Sequence, residues 1–198
     1  MPRMSREQTA LHREKIIQVA ARLFREHGLN GIGVADLMAG AGMTHGGFYG
    51  HFESKNALSA QACARSFEQT AEYWNDRIAQ RDGGTDTAQA FIQAYLSPEH
   101  RANPGSGCVV PALAAEVARE PADSPVRHAF TSGIGRMIEM LSAMLPAARA
   151  ARRRREQALM MMAALVGAVA IARATQGNAM SDEILDAVQN NLLELASD

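Results

Sequence analysis

The chain has 198 residues, 47% of them hydrophobic, and a net charge of −1, which is enough apolar material for a core in one or two domains. That balance excludes a wholesale polycation, so any nucleic-acid contact has to be local. Cys63 and Cys108 lie far apart and make neither a disulfide framework nor a metal site; with no signal peptide read at the N-terminus, a reducing cytoplasm is expected.

Charge is unevenly spread. Residues 1–60 carry seven Lys or Arg against five Asp or Glu, a balance of +2, and four of the six histidines (His12, His27, His45, His51). The mild excess has the sign that a DNA-reading segment needs. Residues 1–8 hold Arg3 and Arg6 without apolar periodicity and read as a flexible basic arm, which would reach the minor groove or backbone. Thr9 is expected to cap a long helix whose stripe is Ile16, Ile17, Ala20, Leu23 and Phe24, ending at Gly28 in the left-handed conformation with Leu29 as apolar follower.

From Leu29 to Leu58 the spacing is that of a helix-turn-helix. Val34, Leu37, Met38 and Ala41 recur at helical spacing, Gly42 supplies the sharp turn, and Met43 is the plug behind it. Thr44 then caps a second helix that carries Phe48 inward and ends near Gly50. Thr44-His45-Gly46-Gly47-Phe48-Tyr49-Gly50-His51-Phe52, followed by Ser54-Lys55-Asn56-Ala57-Leu58, resembles the signature of the TetR family of bacterial transcriptional regulators, over roughly Thr9 to Leu58. The resemblance implies a homodimer on near-palindromic operator DNA, with an inducer in the body.

Within this motif each position has its own chemistry. Thr44 and the backbone amides of His45 and Gly46 stand at a helix N-terminus suited to phosphate. His45 donates to phosphate or to a guanine acceptor, a pH-sensitive contact where the family commonly has Lys or Arg. Gly46 and Gly47 let the backbone approach base edges, at a helix-propensity cost of about 1 kcal/mol each. Tyr49, His51 and Lys55 are placed for phosphate oxygens, which fix register while base edges carry sequence choice. Phe48 and Phe52 read as core. Two departures from the family pattern, Gly33 for a capping Thr and Ala35 for an Arg, remove phosphate partners and predict weaker binding with a shallower salt dependence.

The body reads as helix throughout. A long helix is expected from Ser54 to about Arg81, a break at Asp82–Asp86, a helix from Thr87 to Leu96, a loop over Ser97–Gly107, and helix again from Cys108 to Glu120. A loop over Glu120–Pro125 follows, then helices at Val126–Leu145, about Ala148–Thr175, and Asp182–Ala196 capped by Ser181. With no strand pattern and no internal repeat, the class is all-α. The arrangement is a flexible arm over 1–8, a three-helix helix-turn-helix head over 9–53, and a larger helical ligand-binding and dimerisation body over 54–198.

The apolar run Ala158–Ala172 is 15 residues, short of the roughly 20 that span a bilayer. Ala164, Ala168 and Ala172 on it, with Leu185, Val188, Leu192 and Leu195 on the last helix, suggest a two-helix hairpin meeting its twin as a four-helix dimer interface; the other reading is that both stripes face the chain's own core. Arg149 and Arg152–Arg155 read as a solvated helix start. Phe67, Trp74, Phe91, Tyr95, Phe130, Met137 and Met140 are candidates to line an adaptable apolar pocket, each also serving as plain core.

Cys108 opens a helix, where the dipole lowers a thiol's pKa, so it is a second candidate for effector contact, as an oxidant or electrophile sensor; the plain alternative is a small buried hydrophobe. No catalytic constellation, metal site or cofactor motif is read. The leading expectation is a DNA-binding repressor released by a small apolar or electrophilic effector. The alternatives are a thiol-based sensor acting through Cys108, and a helical ligand-binding protein whose head, on account of Gly33 and Ala35, no longer reads DNA.

Overall fold

The computed structural model describes residues 6–79 and 85–197, with side chains other than those of residues 75–86. Among the described residues the chain is all-helical, with no strand. The elements are α1 (Arg6–His27), α2 (Val34–Gly40), a 3₁₀ helix (His45–Gly50), α3 (Lys55–Ala79), α4 (Thr85–Tyr95), α5 (Pro98–Ala102), a second 3₁₀ helix (Pro104–Ser106), α6 (Val109–Val117), α7 (Pro125–Met144), α8 (Ala151–Ala174) and α9 (Met180–Ser197).

The head is built as its periodicity dictates. Ile16, Ile17, Ala20, Leu23 and Phe24 of α1 are buried against Leu37 and Met38 of α2 and against Phe48 and Phe52. Full burial of Phe24 or Phe48 is worth up to about 3 kcal/mol of transfer free energy, so a few such residues hold so small a core. Arg13 lies 5.0 Å from the centroid of the Phe52 ring and donates to Gln61 Oε1 at 2.5 Å, tying α1 to the start of α3. Gly28 has φ +80° and Gly42 φ +73°, so both corners of the helix-turn-helix use the left-handed region as expected.

Several local expectations are corrected. Helix α1 begins at Arg6, so Thr9 lies inside it, and Gln8 and Arg6 are helical rather than part of an arm. Arg3 and the rest of 1–5 fall outside the described residues, as does most of the expected break at Asp82–Asp86. Thr44 takes the N-cap position by its extended backbone, but its hydroxyl makes no cap bond and the helix it opens is 3₁₀. Ser54 does cap α3, its Oγ accepting the Ala57 N–H at 3.0 Å. Ser181 is not a cap: it sits in α9, donates to the Ala172 carbonyl at 2.7 Å and accepts from Arg101 Nη1 at 2.7 Å.

The expected loop at Ser97–Gly107 contains two short helical pieces. Ser97 Oγ accepts the His100 N–H at 3.1 Å and Pro98 holds the first turn, which together nucleate α5; Pro104 does the same for the 3₁₀ turn after it. This segment is pressed onto α1, where Arg25 Nε and Nη2 both donate to the Gly105 carbonyl, at 2.9 and 2.5 Å. A Cβ at position 105 would meet the Glu26 side chain, which would have to move aside. A second clasp joins the α1–α2 corner to α6: Glu116 Oε2 accepts the Asn30 N–H at 3.0 Å and Asn30 Nδ2 at 3.2 Å.

In the body, α3 runs against α7, with Phe67 and Phe130 edge to face at 5.8 Å and Gly133 giving Phe67 room. Helix α8 packs on α6, α7 and α9. It is long and apolar enough by composition to cross a membrane, yet 44% of its most apolar window is buried inside the protein.

Candidate nucleic-acid interface and body cavity

At the tip of the head, the 3₁₀ helix turns one side inward and leaves the other bare. Phe48 is fully buried, while Tyr49 is 70% exposed and meets Phe48 edge to face at 5.2 Å. Thr44, His45 and Gly46 are exposed, and Gly47 and Lys55 are half-buried. Among the described residues a Cβ at Gly46 would meet nothing within 4 Å, and its φ is not positive, so neither packing against them nor backbone conformation demands glycine there. The chain's own fold leaves that glycine to be explained by something outside it.

His51 is half-buried beside His12, with ring centroids 6.4 Å apart, and its Nδ1 has no partner among the described residues. Burial and the neighbouring His12 and Arg13 depress its pKa below the ordinary value. Gly33 is the N-cap of α2, and the Asp36 carboxylate accepts its N–H at 3.4 Å, a weak closure that replaces the hydroxyl cap the family pattern would supply. Thr44, His45, Gly46, Tyr49 and Lys55 share one end of the molecule, and Arg6 is exposed on the first turn of α1.

The second site is a cavity of about 550 Å³ in the body, within the range of small-molecule sites. Of the expected ligand residues, Trp74, Tyr95 and Cys108 line it. Phe67, Phe91, Phe130 and Met137 are buried core and Met140 is packed against that core; none of the five lines the cavity. They are drawn into the interhelical layers by α3–α7 and α3–α4 packing, with Phe91 4.7 Å from Trp74 behind the wall. The lining is more polar than an apolar pocket: Arg25, Ser66, Gln69, Thr70 and His100 contribute to it. Arg25 comes from α1, a contribution across 80 residues that no local pattern announces.

His100 orders this wall. Its Nε2 accepts the Cys108 N–H at 2.9 Å, which places the ring proton on Nδ1, donating to the Tyr95 carbonyl at 2.6 Å. The bond accepted at Nε2 requires the neutral ring, and burial lowers its pKa. Cys108 is 4% exposed at the N-cap position of α6. The expected thiolate character is overturned: burial pushes its pKa up, outweighing the Tyr95 hydroxyl, the Val110 amide and the positive charges of Arg173 and Arg25. The dipole acts in the expected direction and desolvation wins. Cys63 is pushed up to about 12, also by burial.

On the candidate dimer face, Ala168, Ala172, Leu185 and Leu192 are buried within the single chain, and Ala164, Val188 and Leu195 are half-buried. The open side of α8 instead carries Leu159, Met160 and Ile171, each 45–51% exposed, with Ala163 between them. In the arginine run, Arg152 pairs with Glu156 at 2.8 Å and is 91% exposed, whereas Arg149 reaches Gln157 and the Leu195 carbonyl, tying α8 to the end of α9.

Residues 16–62 match the family model of bacterial regulatory proteins of the tetR family. The chain is similar to the HTH-type transcriptional repressor NemR of Escherichia coli (strain K12), 27% identical over 134 residues, 67% of this chain and 66% of that protein. The match thus spans just under two thirds of the relative's length. It is also similar to the HTH-type transcriptional repressor DhaR of Mycobacterium sp. (strain GP1), 26% identical over 98 residues, 50% of this chain and 48% of that one. Among solved structures, the reduced form of E. coli NemR superposes with a TM-score of 0.75 at 23% identity, covering 91% of this chain and 94% of that one. A TetR transcriptional regulator from Legionella pneumophila gives 0.78 at 17% identity, covering 99% and 100%. These likenesses show the fold.

Proposed function

The chain belongs to the TetR family of bacterial transcriptional regulators, and from that premise we propose that it is a repressor that leaves its operator when a small molecule occupies the body cavity. The observation that carries the DNA-binding half is the bare recognition face: Tyr49 is 70% exposed beside a glycine that nothing in the fold requires. Thr44, His45, Gly46, Gly47, Tyr49, His51 and Lys55 are the contacts, with Arg3 and Arg6 reaching the flanking backbone. Tyr49 and Lys55 take phosphate oxygens and fix register, and the backbone at Gly46 and Gly47 approaches the base edges. The division into a head over 9–53 and a body over 54–198 is part of the same reading, with α1, which begins at Arg6, shared mechanically between head and body.

Two heads have to sit in consecutive major grooves, so the working form is a homodimer in the cytoplasm. The exposed row of Leu159, Met160, Ala163 and Ile171 on α8, with Val188 and Leu195 on α9, is the face that a second copy covers. Ligand acts through a difference in affinity between two head spacings. The path is short: the cavity wall includes Arg25 of α1, and the neighbouring Gly105 carbonyl is what Arg25 grips.

Fluorescence anisotropy on the DNA upstream of the protein's own gene, across a salt series, tests this. Saturable binding that competitor DNA does not displace, weakened about tenfold or more in Tyr49→Ala, is expected. Weak binding indifferent to sequence and to Tyr49 sinks the regulator reading and leaves a helical ligand-binding protein.

A second reading makes the trigger covalent. Its support is that Cys108 lines the cavity, so an electrophile that enters meets a thiol. Because burial keeps that thiol protonated, reaction is slow at neutral pH unless the cavity opens. Operator release by N-ethylmaleimide in wild type but not in Cys108→Ser would establish it; equal release in both would exclude it.

A further inference from the structure

Arg25 is 8% exposed and lines the cavity. Two of its three nitrogens are engaged by one carbonyl, Gly105, and among the described residues no carboxylate lies within ion-pair distance of it. Its neighbour Glu26 is turned to Arg22, at 2.8 Å. Buried guanidinium groups are ordinarily paired, because an isolated cation loses its hydration with nothing to replace it.

A second arginine shares the predicament. Arg173 of α8 donates from Nε to the Arg101 carbonyl at 3.0 Å and from Nη2 to the His100 carbonyl at 2.9 Å, while its Nη1 is buried without a partner. No carboxylate pairs with it among the described residues either. Both cations are close enough to Cys108 to act on its thiol, and that thiol is neutral, so it supplies no counter-charge. Tyr95 is 5% exposed; among the described residues its hydroxyl has no nitrogen or oxygen partner, and it faces the same thiol. Burial lowers the pKa of both arginines, and at Arg25 it outweighs the charge of the nearby Glu26, which lies beyond ion-pair distance.

We propose that the cavity selects an organic anion, a carboxylate on an aromatic or aliphatic body, with the carboxylate held by Arg25 and the Tyr95 hydroxyl and the body laid on Trp74 and Tyr73. The inference rests on the effector reading above and adds its chemistry. Trp74 is 7% exposed and meets Tyr73 edge to face at 5.1 Å, giving an apolar wall of aromatic rings beside the polar end. Among the described lining side chains Glu99, an exposed residue of α5, is the one carboxylate, so the buried part of the described lining carries positive charge. The anion would sit on a side chain of α1 itself, and so act on the helix that carries the head.

Trp74 is the chain's single tryptophan, so its fluorescence reports occupancy directly and without DNA. The probes are 3-phenylpropionate and its neutral isostere 3-phenylpropanamide, titrated at neutral pH. The acid is expected to bind about tenfold or more tightly than the amide, the scale of a charge-assisted hydrogen bond. In Arg25→Gln that preference should shrink while amide affinity stays, and Arg25→Lys should retain part of it; circular dichroism melts confirm that each variant folds. Equal affinity for acid and amide, or full preference surviving in Arg25→Gln, overturns the charge selection and leaves the cavity as an effector site. Quenching by neither compound overturns the inference as well. The regulator reading stands or falls separately, on operator binding measured with no ligand present.

Discussion

Gly46 is the residue on which the reading face can be tested most cleanly. Its φ is not positive and its Cβ position is open, so Gly46→Ala is compatible with the fold and removes backbone freedom from the unfolded chain. Thermal unfolding should be unchanged or raised, by no more than about 1 kcal/mol, while operator affinity drops about tenfold because a methyl group stands between backbone and base edge. Unchanged affinity in a folded variant would mean that the glycine does not approach DNA. Cys108 teaches the complementary lesson at the same scale. A helix N-terminus and two nearby guanidinium groups all favour thiolate, yet full burial outweighs them, and the thiol's environment is set by what excludes water.

At the scale of elements, the segment from α5 to the start of α6 behaves as one unit pinned by His100. The imidazole bridges the Tyr95 carbonyl at the end of α4 and the Cys108 amide at the start of α6, and Arg173 of α8 donates to the His100 carbonyl. The pKa of His100 is lowered from 6.5, by burial first and by Arg173 as well. A lowered folded-state pKa means that the unfolded chain takes up the proton first as pH falls. This stability is therefore intact above the unfolded value near 6.5 and is lost below it, until the folded-state pKa is reached. His51 is shifted in the same direction and adds to the trend. Chemical denaturation followed from pH 8 to pH 5 should show stability falling below about pH 6.5, at no more than about 1.4 kcal/mol per pH unit for one proton. The fall should be shallower in His100→Gln, whose amide keeps a hydrogen-bonding group there without titrating. Identical acid limbs in the two proteins would remove His100 from this role.

For the whole molecule, the notable feature is how the head is attached. Helix α1 is clasped at both levels of the body: Arg25 to the Gly105 carbonyl beside the cavity, and the corner after it, through Asn30, to Glu116 of α6. Gly28 serves this joint twice, since its φ of +80° turns the chain and a Cβ there would strike Glu116. A ligand in the cavity would touch this joint directly, through Arg25. The body need not transmit a change along the full length of α3.

The sequence by itself determined what depends on neighbours a few residues away. Helical periodicity in α1 and α2, left-handed glycines at positions 28 and 42, the buried Phe48 beside an exposed Tyr49, and the all-helical class are all written within short windows, because turn geometry and the 3.6-residue repeat are local. Tertiary structure decided the rest. Ala168, Ala172, Leu185 and Leu192 have the spacing of an interface, but the stacking of α8 on α9 turns them into the chain's own core. Phe91 and Phe130 have the chemistry of pocket walls, but interhelical packing uses them as filling, and the polar lining is assembled from α1, α3, α4 and the α5–α6 segment. A buried arginine left without a carboxylate can be seen only when segments 80 residues apart meet, because charge compensation depends on distance in space.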